Sequence, residues 1–82
     1  MEIIVLGPGC ARCNKVYSAI KKIVEETGIE ASLCKEEDIM KIMAYGVMMT
    51  PAIIVDGVIK IEGYVPNEKE IKKAIEIFDN IF

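Results

Sequence analysis

The chain has no histidine, no tryptophan, only two phenylalanines and only three cysteines among 82 residues. Without histidine there is no Cys–His or Ser–His nucleophile pair, no imidazole metal ligand and no ordinary charge switch near neutral pH. Without tryptophan the core is expected to be aliphatic, built from Ile, Val, Met and Leu. A basic field is missing too: 13 acidic residues stand against 10 basic ones, a net charge of −3. That disfavours nucleic acid or an anionic membrane as partner. No apolar run approaches the roughly 18 residues of a membrane span. The opening Met1-Glu2, followed by a short apolar run to Leu6, does not resemble a secretory leader. An odd cysteine count argues against a secreted disulfide framework, so the expectation is a cytoplasmic protein with reduced thiols.

What remains is a globular composition, 52% apolar and 28% charged. At this length one domain over residues 1–82 is expected. Ile3–Leu6 is a β-branched run stopped by Gly7-Pro8-Gly9, and it predicts a strand buried on both faces. Ala11–Thr27 carries Val16, Ala19, Ile20, Ile23 and Val24 on one helical stripe, with Gly28 as the stop. Ile29–Cys34 alternates apolar and polar residues and predicts a half-exposed edge strand. Glu36-Glu37-Asp38 is expected in the first turn of a second helix, where the helix dipole favours acids. Ile39, Ile42 and Met43 are its expected inner face, and Gly46 its end.

Val47–Pro51 is expected as a loop. Ala52–Val55, Asp56-Gly57 and Val58–Ile61 spell a β-hairpin, since Asp-Gly between two apolar runs is a strong signal for a tight turn. Asn67 is the expected N-cap of a last helix, with Glu70 as capping-box partner. Ile71, Ala74, Ile75, Phe78 and Phe82 form that helix's expected core face. The predicted order is β-α-β-α-β-β-α, with the first two strands parallel across a crossover helix.

The chemistry rests on Cys10-Ala11-Arg12-Cys13, behind the Gly-Pro-Gly turn and at the first turn of a helix. Two intervening residues in a helical turn let the sulfurs meet with little backbone movement. The helix N-terminus offers unpaired N–H groups and partial positive charge, which favour a thiolate at Cys10. Arg12 and Lys15 add positive charge. Cys10 is the expected nucleophile and Cys13, one turn deeper, the resolving thiol. No cofactor and no metal are required beyond the redox-active pair.

A strand, a Cys-x-x-Cys, a helix and a later Thr50-Pro51 opening a hairpin resemble the thioredoxin/glutaredoxin superfamily, and most closely its small, glutaredoxin-sized archaeal and bacterial members. The resemblance covers nearly the whole chain. It implies an α/β fold with one mixed four-stranded sheet and three helices. It implies a monomeric thiol–disulfide oxidoreductase that reduces disulfides in substrate proteins or small molecules, with a thioredoxin reductase as electron donor. Pro51 is then the cis-proline beside the active-site disulfide. Thr50 pairs its backbone with an extended substrate, and Gly63 leaves room for it. The chain departs from the family's common form in having neither Trp before the pair nor Gly-Pro or Pro-Tyr within it. Thioredoxins also place a buried acid on the first strand, where this chain has Ile3, Ile4 and Val5.

Met48, Met49, Tyr64, Pro8 and Pro51 form an expected apolar collar around Cys10, with core filling the competing role for Met48. Cys34 is expected at the end of the second strand, as a small buried hydrophobe rather than a regulatory, metal-binding or dimer-forming thiol. The rival function is a soft-metal carrier for Cu(I) or Zn, since a glycine-rich Cys-x-x-Cys loop also resembles copper- and mercury-chaperone domains. Those domains run β-α-β-β-α-β and end in a strand.

Overall fold

The computed structural model describes residues 1–9 and 11–75. Cys10, Phe78 and Phe82 therefore lie outside the described residues. The elements run β1 (Glu2–Leu6), α1 (Ala11–Thr27), β2 (Ser32–Glu36), α2 (Ile39–Ala44), β3 (Ala52–Val55), β4 (Val58–Glu62) and α3 (Glu68–Ala74). They build one mixed sheet in the order β2-β1-β3-β4. β1 pairs parallel with β2 and antiparallel with β3, and β3 pairs antiparallel with β4.

β1 lies inside the sheet with Ile3, Ile4, Val5 and Leu6 all buried, as an apolar run without alternation requires. Its side chains divide by period two. Ile3 and Val5 join Ile53, Val55 and Ile61 under α1 and α3, while Ile4 and Leu6 join Ala52 and Ile54 under α2. Val16, Ile20 and Ile23 of α1 and Ile71, Ala74 and Ile75 at α3 close the first layer. The Asn67–Glu70 capping box is formed in both directions. Asp56 and Gly57 both have positive φ, 49° and 83°, as the tight hairpin turn demands. A register shift between Ile53 and Ile54 sets Ile54 opposite Ile59 and Ile53 opposite Ile61.

Four expectations are corrected. β2 is Ser32–Glu36, not Ile29–Cys34. Parallel pairing sets its bounds, because Ser32 N–H donates to Met1 O at 2.8 Å and Gly7 N–H to Glu36 O at 3.0 Å. Cys34 consequently sits mid-strand opposite Ile4, exposed on the edge strand, with Sγ 3.9 Å from Ile3 O. It neither ends the strand nor is buried. The acids do not enter α2: Glu36 closes β2, and Asp38 is the N-cap, accepting from Met40 N–H at 2.9 Å. Nor do Ile39 and Met43 face inward. They are 56% and 64% exposed, and Ile42 is the buried side chain of this short helix.

Candidate functional site

β1 runs to Leu6, the chain turns through Gly7-Pro8-Gly9, and α1 starts at Ala11. Cys13 therefore sits in the first turn of α1, and it is fully buried. The sulfur lies directly on Gly7. A Cβ on Gly7 would stand 2.1 Å from Cys13 Sγ and 2.7 Å from its Cβ. No side chain fits there, so the missing one at Gly7 is what lets α1 settle its second cysteine on the end of the strand. The first turn of α1 holds no acid of its own and includes Arg12.

Arg12 reaches across to the end of β4, where its Nη2 donates to Gly63 O at 3.4 Å. Gly63 N–H in turn donates to Pro51 O at 2.9 Å. The Thr50–Pro51 peptide bond is cis, Pro51 is buried and Thr50 half-buried. Gly63 takes φ +89°, and a Cβ there would meet Met49 Cβ at 3.2 Å and its Cε and Sδ at 3.4 Å. Five of the residues named from the sequence, Arg12, Met49, Thr50, Pro51 and Gly63, thus form one cluster linked to the Cys13 helix. Met48 is 90% exposed, which excludes core filling.

Two named residues are not drawn into this cluster. Lys15 is exposed on α1. Tyr64 turns toward α3, where its hydroxyl donates to Glu70 Oε2 at 3.1 Å. That bond, with some desolvation and the Glu70 charge, holds the Tyr64 phenol above its ordinary pKa of 10.0. Tyr64 lines a shallow depression of about 360 Å³ with Lys60, Ile61, Glu70, Lys73 and Ala74.

Four residues not assigned to the site from the sequence also border it. Gly7 was legible as part of a turn, but its contact with Cys13 exists only once the helix lies across the strand end. Glu37 sets its carboxylate against Gly9: a Cβ there would be 3.0 Å from Oε2. Lys35 lies 3.7 Å from that carboxylate, donates to Asn14 Oδ1 and stands 5.5 Å from the Tyr17 ring centroid. It ties the exit of β2 to α1 beside Cys13. Glu62 accepts from the backbone of Met48 and Met49, a contact without any local sequence signal.

A buried cysteine thus sits in the first turn of the helix that follows the inner strand, and Arg12 of that turn ties it to a hairpin-end glycine and the proline loop. A family model described as a thioredoxin domain matches residues 1–76. The chain belongs to the thioredoxin family. It is 40% identical over 76 residues to the thioredoxin of Methanocaldococcus jannaschii, covering 93% of this chain and 87% of that relative. It is 36% identical over 75 residues to the thioredoxin of Methanothermobacter thermautotrophicus, covering 92% of this chain and 97% of that relative. Thioredoxins are thiol–disulfide oxidoreductases, and the soft-metal-carrier alternative finds no support in these likenesses. Among the described residues no helix is long and apolar enough to cross a membrane.

Proposed function

We propose that the chain acts as one cytoplasmic, monomeric thioredoxin-like domain that reduces disulfides through Cys10 and Cys13. The Cys10 thiolate attacks one sulfur of the substrate disulfide. A Cys10–substrate mixed disulfide forms and the other substrate sulfur leaves as a thiolate. Cys13 then attacks the Cys10 sulfur, and the second substrate thiol is released. Two electrons pass to the substrate, and Cys10–Cys13 is left as a disulfide. A reductase of the kind that serves thioredoxins restores the dithiol. Thr50 and Pro51 present backbone to an extended substrate, Gly63 and Met49 border it, and Arg12 and Lys15 add positive charge beside the nucleophile.

The observation that carries this reading is the seat of Cys13. It is buried on Gly7 in the first turn of α1, three positions after Cys10 in the sequence, while Arg12 links that turn to the Pro51 loop through Gly63. A resolving thiol needs shelter from outside disulfides, and the burial of Cys13 supplies it.

The test is a cysteine pair of variants in an insulin-reduction assay. Cys10→Ser is expected to abolish reduction, and Cys13→Ser to accumulate a mixed disulfide with substrate on Cys10, seen by mass. A mixed disulfide trapped on Cys13 in Cys10→Ser would reverse the two roles. In dithiothreitol redox buffers the wild-type pair is expected to titrate as a two-electron couple between about −180 and −300 mV. Absence of any such couple would reject the reading.

A further inference from the structure

The exit of β4 holds three parts of the site together. Glu62 is the last residue of β4 and pairs with Ala52, the first residue of β3. Its Oε2 accepts from Met48 N–H at 2.6 Å and from Met49 N–H at 3.2 Å. The next residue, Gly63, donates its N–H to Pro51 O and accepts from Arg12. Met49 packs its side chain against the Gly63 backbone.

Burial does not hold the Met48–Met49 segment. It lies between buried Val47 and buried Pro51, but Met48 and Met49 themselves are 90% and 61% exposed and belong to neither helix nor strand. Exposed amides of this kind ordinarily turn to water and move. Here a single carboxylate oxygen takes both. Hydrogen bonds to an ionised acceptor are shorter and stronger than neutral ones, and the 2.6 Å contact is of that kind.

We propose that Glu62 is a positioning residue for substrate recognition, a carboxylate latch that fixes the Met48–Met49 backbone so that Thr50 meets an extended polypeptide in one geometry. The inference rests on the oxidoreductase reading above and names the substrate class for which it matters. A protein disulfide, whose flanking chain lies along the loop, depends on the latch. A small aromatic disulfide, which needs little more than the Cys10 sulfur, depends on it much less. Glu62 touches neither the reacting sulfurs nor the substrate; it acts through the loop.

The experiment measures steady-state reduction of insulin, and of a small aromatic disulfide, by the full chain and by Glu62→Ala and Glu62→Gln. For Glu62→Ala the expected result is a KM for insulin raised about tenfold, which is about 1.4 kcal/mol, against a change in kcat within about twofold. The small disulfide is expected to lose clearly less. Glu62→Gln keeps an acceptor oxygen without the charge and is expected to raise the KM for insulin by less than the alanine variant, about threefold, so it also carries the test if the alanine variant does not fold. A merely structural role would lower the melting temperature without splitting KM from kcat. The assignment is overturned if Glu62→Ala keeps the wild-type KM, if both substrates lose equally, or if Gln gives no rescue. A wild-type chain that reduces neither disulfide overturns the oxidoreductase reading instead, and the assignment falls with it.

Discussion

On one face of the sheet, α1 and the α3 region press Val16, Ile20, Ile23, Ile71, Ala74 and Ile75 against Ile3, Val5, Ile53, Val55 and Ile61. On the other, α2 brings Ile42 and the following loop brings Val47, over Ile4, Leu6, Ala52 and Ile54. The first face is closed by a 17-residue helix and a capped second one; the other has a helix of six residues. The difference separates two tasks. The inward side chains of α1 and α3 are locked among neighbours, so that face holds the fold. On the thin face Ile39, Met40 and Met43 stay exposed, and the chain leaves it as the Met48–Pro51 loop of the site. Between buried Val47 and buried Pro51, the exposed Met48–Met49 stretch of that loop is fastened by Glu62 rather than by burial of its own side chains.

The comparison breaks first on cavity formation. Ile20→Ala is expected to cost about 2–5 kcal/mol in denaturant unfolding, because α1, β1 and α3 cannot all collapse onto the gap. Ile42→Ala should fall at the low end of that range, since its surroundings open toward solvent. Equal losses would show that α2 carries as much of the fold as α1. Gly7→Ala tests the seam between fold and site. Its methyl group meets Cys13 Sγ, and overpacking of this kind costs about 1–3 kcal/mol. The variant is expected to lose insulin reduction even under conditions where circular dichroism shows it folded. A fully active Gly7→Ala would mean that the Cys13 seat is not needed.

A smaller effect sharpens the contrast. Met43→Ser, on the exposed side of α2, should leave the unfolding midpoint within about 0.5 kcal/mol of wild type. A larger loss would show this face to be covered in solution. The smallest effect concerns Tyr64. Its phenol is raised by the hydrogen bond to Glu70, so the protonated form is favoured in the folded state. The stabilisation is complete below the ordinary pKa of 10.0 and is lost as pH climbs through the raised one. Tyr64→Phe should therefore remove from an ultraviolet titration a phenol that titrates above 10.0. Loss of a phenol that titrates at or below that value would show the Glu70 bond to be absent in solution.

Elements whose signals are local were legible. The β1 run, the α1 stripe, the Asp56-Gly57 turn and the Asn67 capping box each depend on residues within a few positions of one another, and each formed where expected. β2 was displaced because a parallel strand takes its bounds from its partner, here β1, and its own alternation cannot report that. The inner face of α2 was misjudged because apolar spacing tells which side chains share a side, not whether anything covers that side. Glu36 left the α2 start because of the same displacement of β2, while Asp38 stayed there as the N-cap.

For the site, residue types and spacing named the cysteine pair, because thiol chemistry is a property of single residues and a short motif, while Thr50 and Gly63 were named through the family resemblance, and Pro51 through that resemblance and its X-Pro constraint. That is what the sequence determined alone, together with an aliphatic core and the βαβαββα order. Only the tertiary structure decided that Gly7 makes the floor under Cys13, that Arg12 reaches Gly63, that Tyr64 turns to Glu70 and that Glu62 fastens the Met48–Met49 loop. The physical reason is distance along the chain. Arg12 and Gly63 are 51 residues apart, and Glu62 and Met49 are 13, so no local preference encodes their meeting. Those contacts appear when sheet register and helix packing, set by burial elsewhere, bring the strand ends together.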